Sequence, residues 1–282
     1  MTSAFAPAKL NLCLHVTGLR DDGYHLLDSV VMHVDVGDKI WVDPQDHLTL
    51  SISGPFGKDI PTGRDNLVLQ AASLVSSNKG AAIWLEKNLP PSAGIGSGSS
   101  DAAATVRALC DFWQSPELDL QSLAGLGSDV PVCMSTQLTR MRGVGEKLDL
   151  LGSPPELAFV LINPRAEVST PRVFTALKRK SNSGLEKDMP DISDLEAWLL
   201  WLSAQRNDLE QPAISLAPVI VDVLDELNAL PQAKIVRMSG SGATCFAIMQ
   251  DRSSAKAAAE RLQWEHPIWW VKDAATCFAD FS

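Results

Sequence analysis

Between residues 92 and 101 the chain reads Ser-Ala-Gly-Ile-Gly-Ser-Gly-Ser-Ser-Asp. Gly94, Gly96 and Gly98 stand at every second position, so the backbone can bend sharply and leave its N–H groups uncovered. A strong helical run, Ala102-Ala103-Ala104-Thr105-Val106-Arg107-Ala108-Leu109, follows at once, with Ser99, Ser100 and Asp101 as candidate caps. A bent loop opening onto a helix start gathers unpaired N–H groups and the positive end of the helix dipole, a site for an anion that needs no basic residue. The chemistry this suits is phosphate binding. A P-loop is excluded because no Gly-Lys-Ser/Thr closes the loop. A dinucleotide fingerprint is excluded because Ser99 stands where its last glycine belongs. The competing reading is a plain flexible Gly/Ser connection.

Three further features are weaker alone. Ser239-Gly240-Ser241-Gly242-Ala243-Thr244 is a second small-residue loop, a tight turn unless folding brings it beside the first. Lys9 lies in an apolar strand after Pro7-Ala8, and Asp129 at a bend before Val130-Pro131-Val132. Each charge reads first as a solvated one, and His15 and His25 read first as structural.

The elements that must position these groups follow from periodicity. Residues 8–16 alternate polar and apolar, the period of a half-buried strand. Asp21-Asp22-Gly23 marks a turn, and strands are predicted over 26–36 and 46–53. Several strands precede any good helix, so the class is α+β with antiparallel pairing. Helices are predicted over 66–77, from 101 onward, and over 195–203, 218–230 and 254–262. Further strands are predicted over 81–85, 157–162, 235–238, 245–249 and 269–271. The polar stretch 178–194 reads as a mobile surface connection, and a domain change is placed near residue 150.

Composition limits the partners. Of 282 residues 34 are acidic and 24 basic, a net charge of −10, which disfavours nucleic acid held on a broad basic face. No apolar run approaches the roughly 18–20 residues that cross a bilayer, and the N-terminus lacks a basic, then apolar, secretory leader. Five widely spaced cysteines, Cys13, Cys110, Cys133, Cys245 and Cys277, read as small core residues in a reducing cytoplasm. The late tryptophans Trp198, Trp201, Trp264, Trp269 and Trp270 read as core or dimer contacts.

Taken in order, the motifs resemble the GHMP kinase superfamily. They are Pro7-Ala8-Lys9-Leu10-Asn11-Leu12, Gly23-Tyr24-His25, Gly94 to Ala103, Leu126-Gly127-Ser128-Asp129-Val130-Pro131, Ser169-Thr170-Pro171-Arg172-Val173-Phe174, Arg206-Asn207-Asp208-Leu209 and Ser239-Gly240-Ser241-Gly242-Ala243. They span almost the whole chain. The Lys-Leu-Asn-Leu and Gly-Tyr-His pair sets it apart from the mevalonate, homoserine and galactose branches.

The resemblance implies two α+β domains, 1–150 and 151–282, with the active site in the cleft between them. It implies transfer of the ATP γ-phosphoryl group to the tertiary 2-hydroxyl of 4-(cytidine 5′-diphospho)-2-C-methyl-D-erythritol, a step toward isoprenoid precursors by the non-mevalonate route. Lys9 and Asp129 would be catalytic, Asp129 taking or orienting the hydroxyl proton and Lys9 stabilising the oxyanion. Pro90, Pro91, Ser92, Ala93, Gly94, Ile95, Gly96, Ser97, Gly98, Ser99 and Ser100 would hold ATP, with Ser100 nearest Mg²⁺. Tyr24 and Phe174 would sandwich the cytosine and His25 would bond its edge. Asn11, Thr170, Gly240 and Ser241 would contact the rest of the substrate. Ser97 and Ala93 depart from the family's usual glycines, and a Cβ at 97 would crowd the phosphate if that residue needed positive φ. The implied partner is a small molecule, the implied assembly a monomer or weak homodimer. The alternatives are a GHMP kinase for another alcohol, or a nucleotide-binding relative without catalysis, against which Lys9 and Asp129 together argue.

Overall fold

The computed structural model describes residues 1–278. Two long strands, β1 (Thr2–Leu19) and β2 (His25–Pro44), run antiparallel through the turn at residues 20–24. Both extend past the predicted segments, because bulges at Pro7/Ala8, Asn11/Cys13 and Val16/Gly18 carry the pairing across breaks in the alternation. One end of β2 pairs with β4 (Ala81–Glu86), and the other with β5 (Leu138–Gly143). β3 (Thr49–Ser53) lies parallel to β4, an exception to the antiparallel expectation, and β6 (Lys147–Gly152) closes a hairpin on β5. The result is a six-stranded sheet.

A second sheet holds β10 (Trp270–Ala275), β7 (Ala158–Asn163), β9 (Cys245–Met249) and β8 (Ala233–Met238) in that order, all antiparallel. Every residue of β7 and β9 is buried, which is why these strands read as continuous apolar runs. Phe159 and Phe246 meet edge to face at 6.2 Å within a core that also takes Leu10, Leu12 and Trp198.

Helices cover the sheets. α1 (Leu67–Val75) is capped by the Asn66 side chain, which accepts from the Val68 N–H at 2.9 Å. α2 (Ser97–Trp113) presents Ala102, Ala103, Val106 and Leu109 to the core, and its small alanines let it lie close to β1. α3 (Leu120–Leu126), α4 (Thr170–Ala176) and α6 (Glu210–Leu216) were not predicted; each is only seven residues long, too short for a clear helical period. α5 (Leu195–Ser203), α7 (Val219–Asn228) and α8 (Arg252–Glu265) stand where periodicity placed them. The stretch 178–194 has no helix or strand before α5 but is tied down. Asn182 N–H donates to the Val16 carbonyl at 3.0 Å, and Arg140 grips Asp28 with two 2.8 Å bonds while reaching the Leu185 carbonyl.

All five cysteines are free, and all but Cys110 are buried. Trp198, Trp269 and Trp270 are core residues, whereas Trp264 is 83% exposed. Among the described residues no helix is long and apolar enough to cross a membrane.

Candidate active site

The helix expected from residue 101 begins four residues earlier, at Ser97, because Gly96 turns the chain at φ +62°. Ser99, Ser100 and Asp101 therefore sit inside the helix and do not cap it. No side chain caps α2, so the N–H groups of its first turn keep their unmet hydrogen-bonding capacity. Ser97 is helical and does not have positive φ. The predicted crowding does not arise, since its hydroxyl points inward to Lys87.

Lys9, on β1, lies against this turn. A Cβ at position 96 would stand 3.0 Å from Lys9 Cε, so glycine there makes room for the lysine stem. The Lys9 backbone N–H donates to the Ile95 carbonyl at 2.9 Å, and the Ile95 side chain is anchored in the core. Lys9 itself is 3% exposed. Its ammonium donates to Asp129 Oδ2 at 2.8 Å and to Asn11 Oδ1 at 2.9 Å. Asn11 is in turn fixed by Ser29 Oγ at 2.8 Å. Asp129 sits on the bend after α3, held by the Val130 N–H to Gly127 carbonyl bond, and is 30% exposed. A lysine and an aspartate 120 residues apart thus form one ion pair, which overturns the reading of each as a lone solvated charge.

The second small-residue loop lies directly on the first. Ser239 Oγ donates to the Gly94 carbonyl at 2.9 Å and accepts from the Asn11 N–H at 3.0 Å. The Thr244 N–H donates to the Ala93 carbonyl at 3.1 Å. Gly94 has φ +73°, and a Cβ there would meet the Ser239 carbonyl oxygen at 2.4 Å. This close backbone contact requires the glycine. Asn207, missed as a single residue by sequence reasoning, clamps the second loop by donating to the Met238 and Gly240 carbonyls at 2.8 Å each.

These loops border a cleft of about 1180 Å³. Lys9, Asn11, Asp129, Thr170, Phe174, Gly240 and Ser241 line it, together with Pro90, Pro91, Ser92, Ala93, Gly94, Gly96, Ser97, Gly98 and Ser99. Thr170 and Ser241 hydroxyls are hydrogen-bonded at 2.7 Å. Four expected residues do not line the cleft. Ile95 is buried in the core, and its carbonyl is taken by the Lys9 N–H. Ser100 is fully buried and donates its hydroxyl to the Pro7 carbonyl at 2.7 Å, so it clamps α2 to β1 and does not face a metal. The expected Ser100–Mg²⁺ contact is corrected on this ground. His25 stacks on Phe174 at 4.7 Å with 26° between the rings, and Tyr24 beside it is 65% exposed. Phe174 thus has His25 stacked on it, with Tyr24 the preceding residue at the surface. Burial, with Lys180 nearby, lowers the His25 pKa, and its Nε2 is buried without a partner.

One charged group under the loop had no sequence signal. Lys87 binds Asp38, Ser97 and Asp101, all four buried. Burial alone would lower the Lys87 pKa, but Asp101 and Asp38 together raise it. Burial pushes Asp101 up to about 8 despite the ammonium beside it.

Comparison with known proteins places the chain among relatives. Residues 66–137 match the GHMP kinases N terminal domain and residues 173–266 the GHMP kinases C terminal. The chain is 49% identical over 275 residues to the 4-diphosphocytidyl-2-C-methyl-D-erythritol kinase of Cereibacter sphaeroides, covering 97% of this chain and 99% of that one. It is 48% identical over 269 residues to the enzyme of the same name from Dinoroseobacter shibae, covering 95% and 93%. A crystal structure of 4-(cytidine 5′-diphospho)-2C-methyl-D-erythritol kinase superposes with a TM-score of 0.79 at 34% identity, covering 98% of this chain and 99% of that one.

Proposed function

The chain belongs to the GHMP kinases and has their two-domain fold, and from this we propose that it phosphorylates the 2-hydroxyl of 4-(cytidine 5′-diphospho)-2-C-methyl-D-erythritol with ATP. The observation that carries the reading is the Lys9–Asp129 pair, 2.8 Å apart on the wall of a cleft whose rim is the uncapped start of α2.

A tertiary alcohol is a poor nucleophile at neutral pH, so the proton must have somewhere to go as the O–P bond forms. Asp129 takes it. The Lys9 ammonium, fixed by Asn11 as well as Asp129, stabilises charge on the alcohol oxygen. A base so placed contributes on the order of 10²- to 10⁴-fold. Phosphoryl transfer otherwise requires positioning and charge neutralisation. The first-turn N–H groups of α2 and the backbone of residues 92–98 hold the triphosphate. Mg²⁺ takes hard oxygen ligands and keeps waters when it travels with phosphates. The Ser99 hydroxyl, half-buried on the cleft wall, is the loop oxygen that suits it. When bound, the ion neutralises phosphate charge.

The cytosine stacks on Phe174, which lines the cleft, with Tyr24 closing over it from the surface, and His25 turns from its stack on Phe174 to offer its unpartnered Nε2 to the base edge. Asn11, Thr170, Gly240 and Ser241 contact the erythritol and diphosphate. The division between domains falls near residue 150, and the protein works in the cytoplasm as a monomer or weak homodimer.

The test is ADP release from ATP with and without the cytidine diphosphate substrate. Release only with that substrate, and not with mevalonate or homoserine, is the expected result. ATP binding with no turnover of any alcohol would overturn the proposal.

A further inference from the structure

Lys87 follows β4 directly, and its ammonium reaches three side chains. Asp38 lies on β2; Ser97 and Asp101 are the first and fifth residues of α2. None of the four is more than 4% exposed. The second oxygen of Asp38 accepts the N–H groups of Asn88 and, at 2.8 Å, Leu89. Lys87 is anchored through its own backbone too, its N–H donating to the Ser53 carbonyl at 2.9 Å and its carbonyl accepting from Phe56 N–H at 3.1 Å. The ammonium is therefore fixed to the sheet, and Ser97 and Asp101 are its contacts with the helix.

Burying an ammonium with two acidic side chains is costly, and apolar side chains of the same volume would commonly stabilise a fold as well or better. Asp101 Oδ1 is buried with no hydrogen-bond partner among the described residues, so the cluster is not arranged for stability alone. What it supplies is direction. Lys87, Ser97 and Asp101 line the cleft together with the loop residues Gly94, Gly96 and Gly98. They hold the start of α2 through the side chains of its first and fifth residues, and no side chain is spent on its N–H groups.

We propose that Lys87, braced by Asp38, is a positioning residue for the nucleotide phosphates. Through Ser97 and Asp101 it sets the angle at which the uncapped first turn of α2 presents its N–H groups to the anion. This rests on the reading of residues 92–99 as the ATP site.

Calorimetric titration of ADP, with steady-state kinetics and thermal melts, tests it on wild type, D101A, D101N and S97A. D101A removes the Lys87 contact, and ADP affinity and the KM for ATP should weaken at least tenfold while kcat at saturating ATP and the KM for the alcohol stay within threefold. D101N still accepts from Lys87 and should recover most of the lost affinity. If D101A does not fold, S97A decides, with a weakening of threefold or more expected. D101A, or S97A in its place, binding ADP like wild type overturns the inference and leaves the proposed function standing. So does equal loss in D101A and D101N that tracks a fall in melting temperature. A wild-type protein that binds no ADP overturns both.

Discussion

Replacing Asp129 by asparagine isolates charge and basicity from geometry. The amide oxygen of Asp129→Asn can still accept from Lys9, where the carboxylate now does at 2.8 Å, and Asn11 continues to accept from the same ammonium at 2.9 Å. Lys9, 3% exposed, is therefore not left without partners. Breaking a fully buried ion pair typically costs about 3–5 kcal/mol, and an exposed pair contributes about 0–1 kcal/mol. Asp129 is 30% exposed and a hydrogen bond survives, so a loss of roughly 1–2 kcal/mol in stability is expected. That corresponds to a few degrees in Tm. The catalytic loss is separate and larger. Removing the proton acceptor should lower kcat at least about a hundredfold, or about 2.7 kcal/mol in the barrier. The KM for ATP should change less than about threefold, because the phosphates are held by the backbone N–H groups of the loop and of the α2 start, which the substitution leaves in place. Coupled detection of ADP gives kcat and KM, and a melt taken in parallel gives the structural loss. Turnover within tenfold of wild type would remove Asp129 from proton transfer and with it the mechanism.

Two further outcomes are expected. His33 is fully buried, and burial, with Lys9 and Arg107 nearby, lowers its pKa to about 3 from 6.5. The native state keeps the ring neutral while the unfolded chain protonates it, so stability is fully present above about pH 6.5 and falls with pH by up to about 1.4 kcal/mol per unit down to pH 3. Urea denaturation of His33→Leu should lose about one proton's worth of that slope between pH 6 and 4.5; slopes parallel to wild type would refute it. Ser100→Ala leaves the buried Pro7 carbonyl without its 2.7 Å donor and should cost about 1–3 kcal/mol in unfolding. The Mg²⁺ concentration giving half-maximal activity should not move, and a shift would return Ser100 to the metal.

Some of this arrangement is legible along the chain, and the reasons differ by residue. The phosphate loop is visible because alternating glycines and a strong helix are adjacent in sequence. The period of residues 8–16 gives β1, although its bulges hide the rest of the strand. The helix start was misplaced because Ser99, Ser100 and Asp101 resemble caps, whereas the turn is made by Gly96 through its φ of +62°. The β5–β6 hairpin has no apolar run to mark it, since Arg140 and Arg142 interrupt the buried Leu138, Thr139 and Met141 of β5, and β6 is largely exposed. The Lys9–Asp129 pair spans 120 residues and cannot be read from spacing; only the resemblance joined the two. Lys87 and Asp38 look like ordinary solvated charges, because nothing local reveals that three elements close over them.

The strand that carries Lys9 is finished by distant parts of the chain. Val16 N–H donates to Asp208, 192 residues onward, and the Leu14 N–H and carbonyl are taken by Arg206 and Asp208. Arg237 caps the Leu12 carbonyl from 225 residues away. During synthesis at about 5–20 residues per second, roughly 10–40 s separate the appearance of this strand from that of its last neighbours. For that interval the nascent chain exposes an apolar edge to the ribosome's surroundings, and a product truncated after residue 150 would keep it exposed permanently. Premature termination should therefore yield aggregates, not a half-sized nucleotide binder.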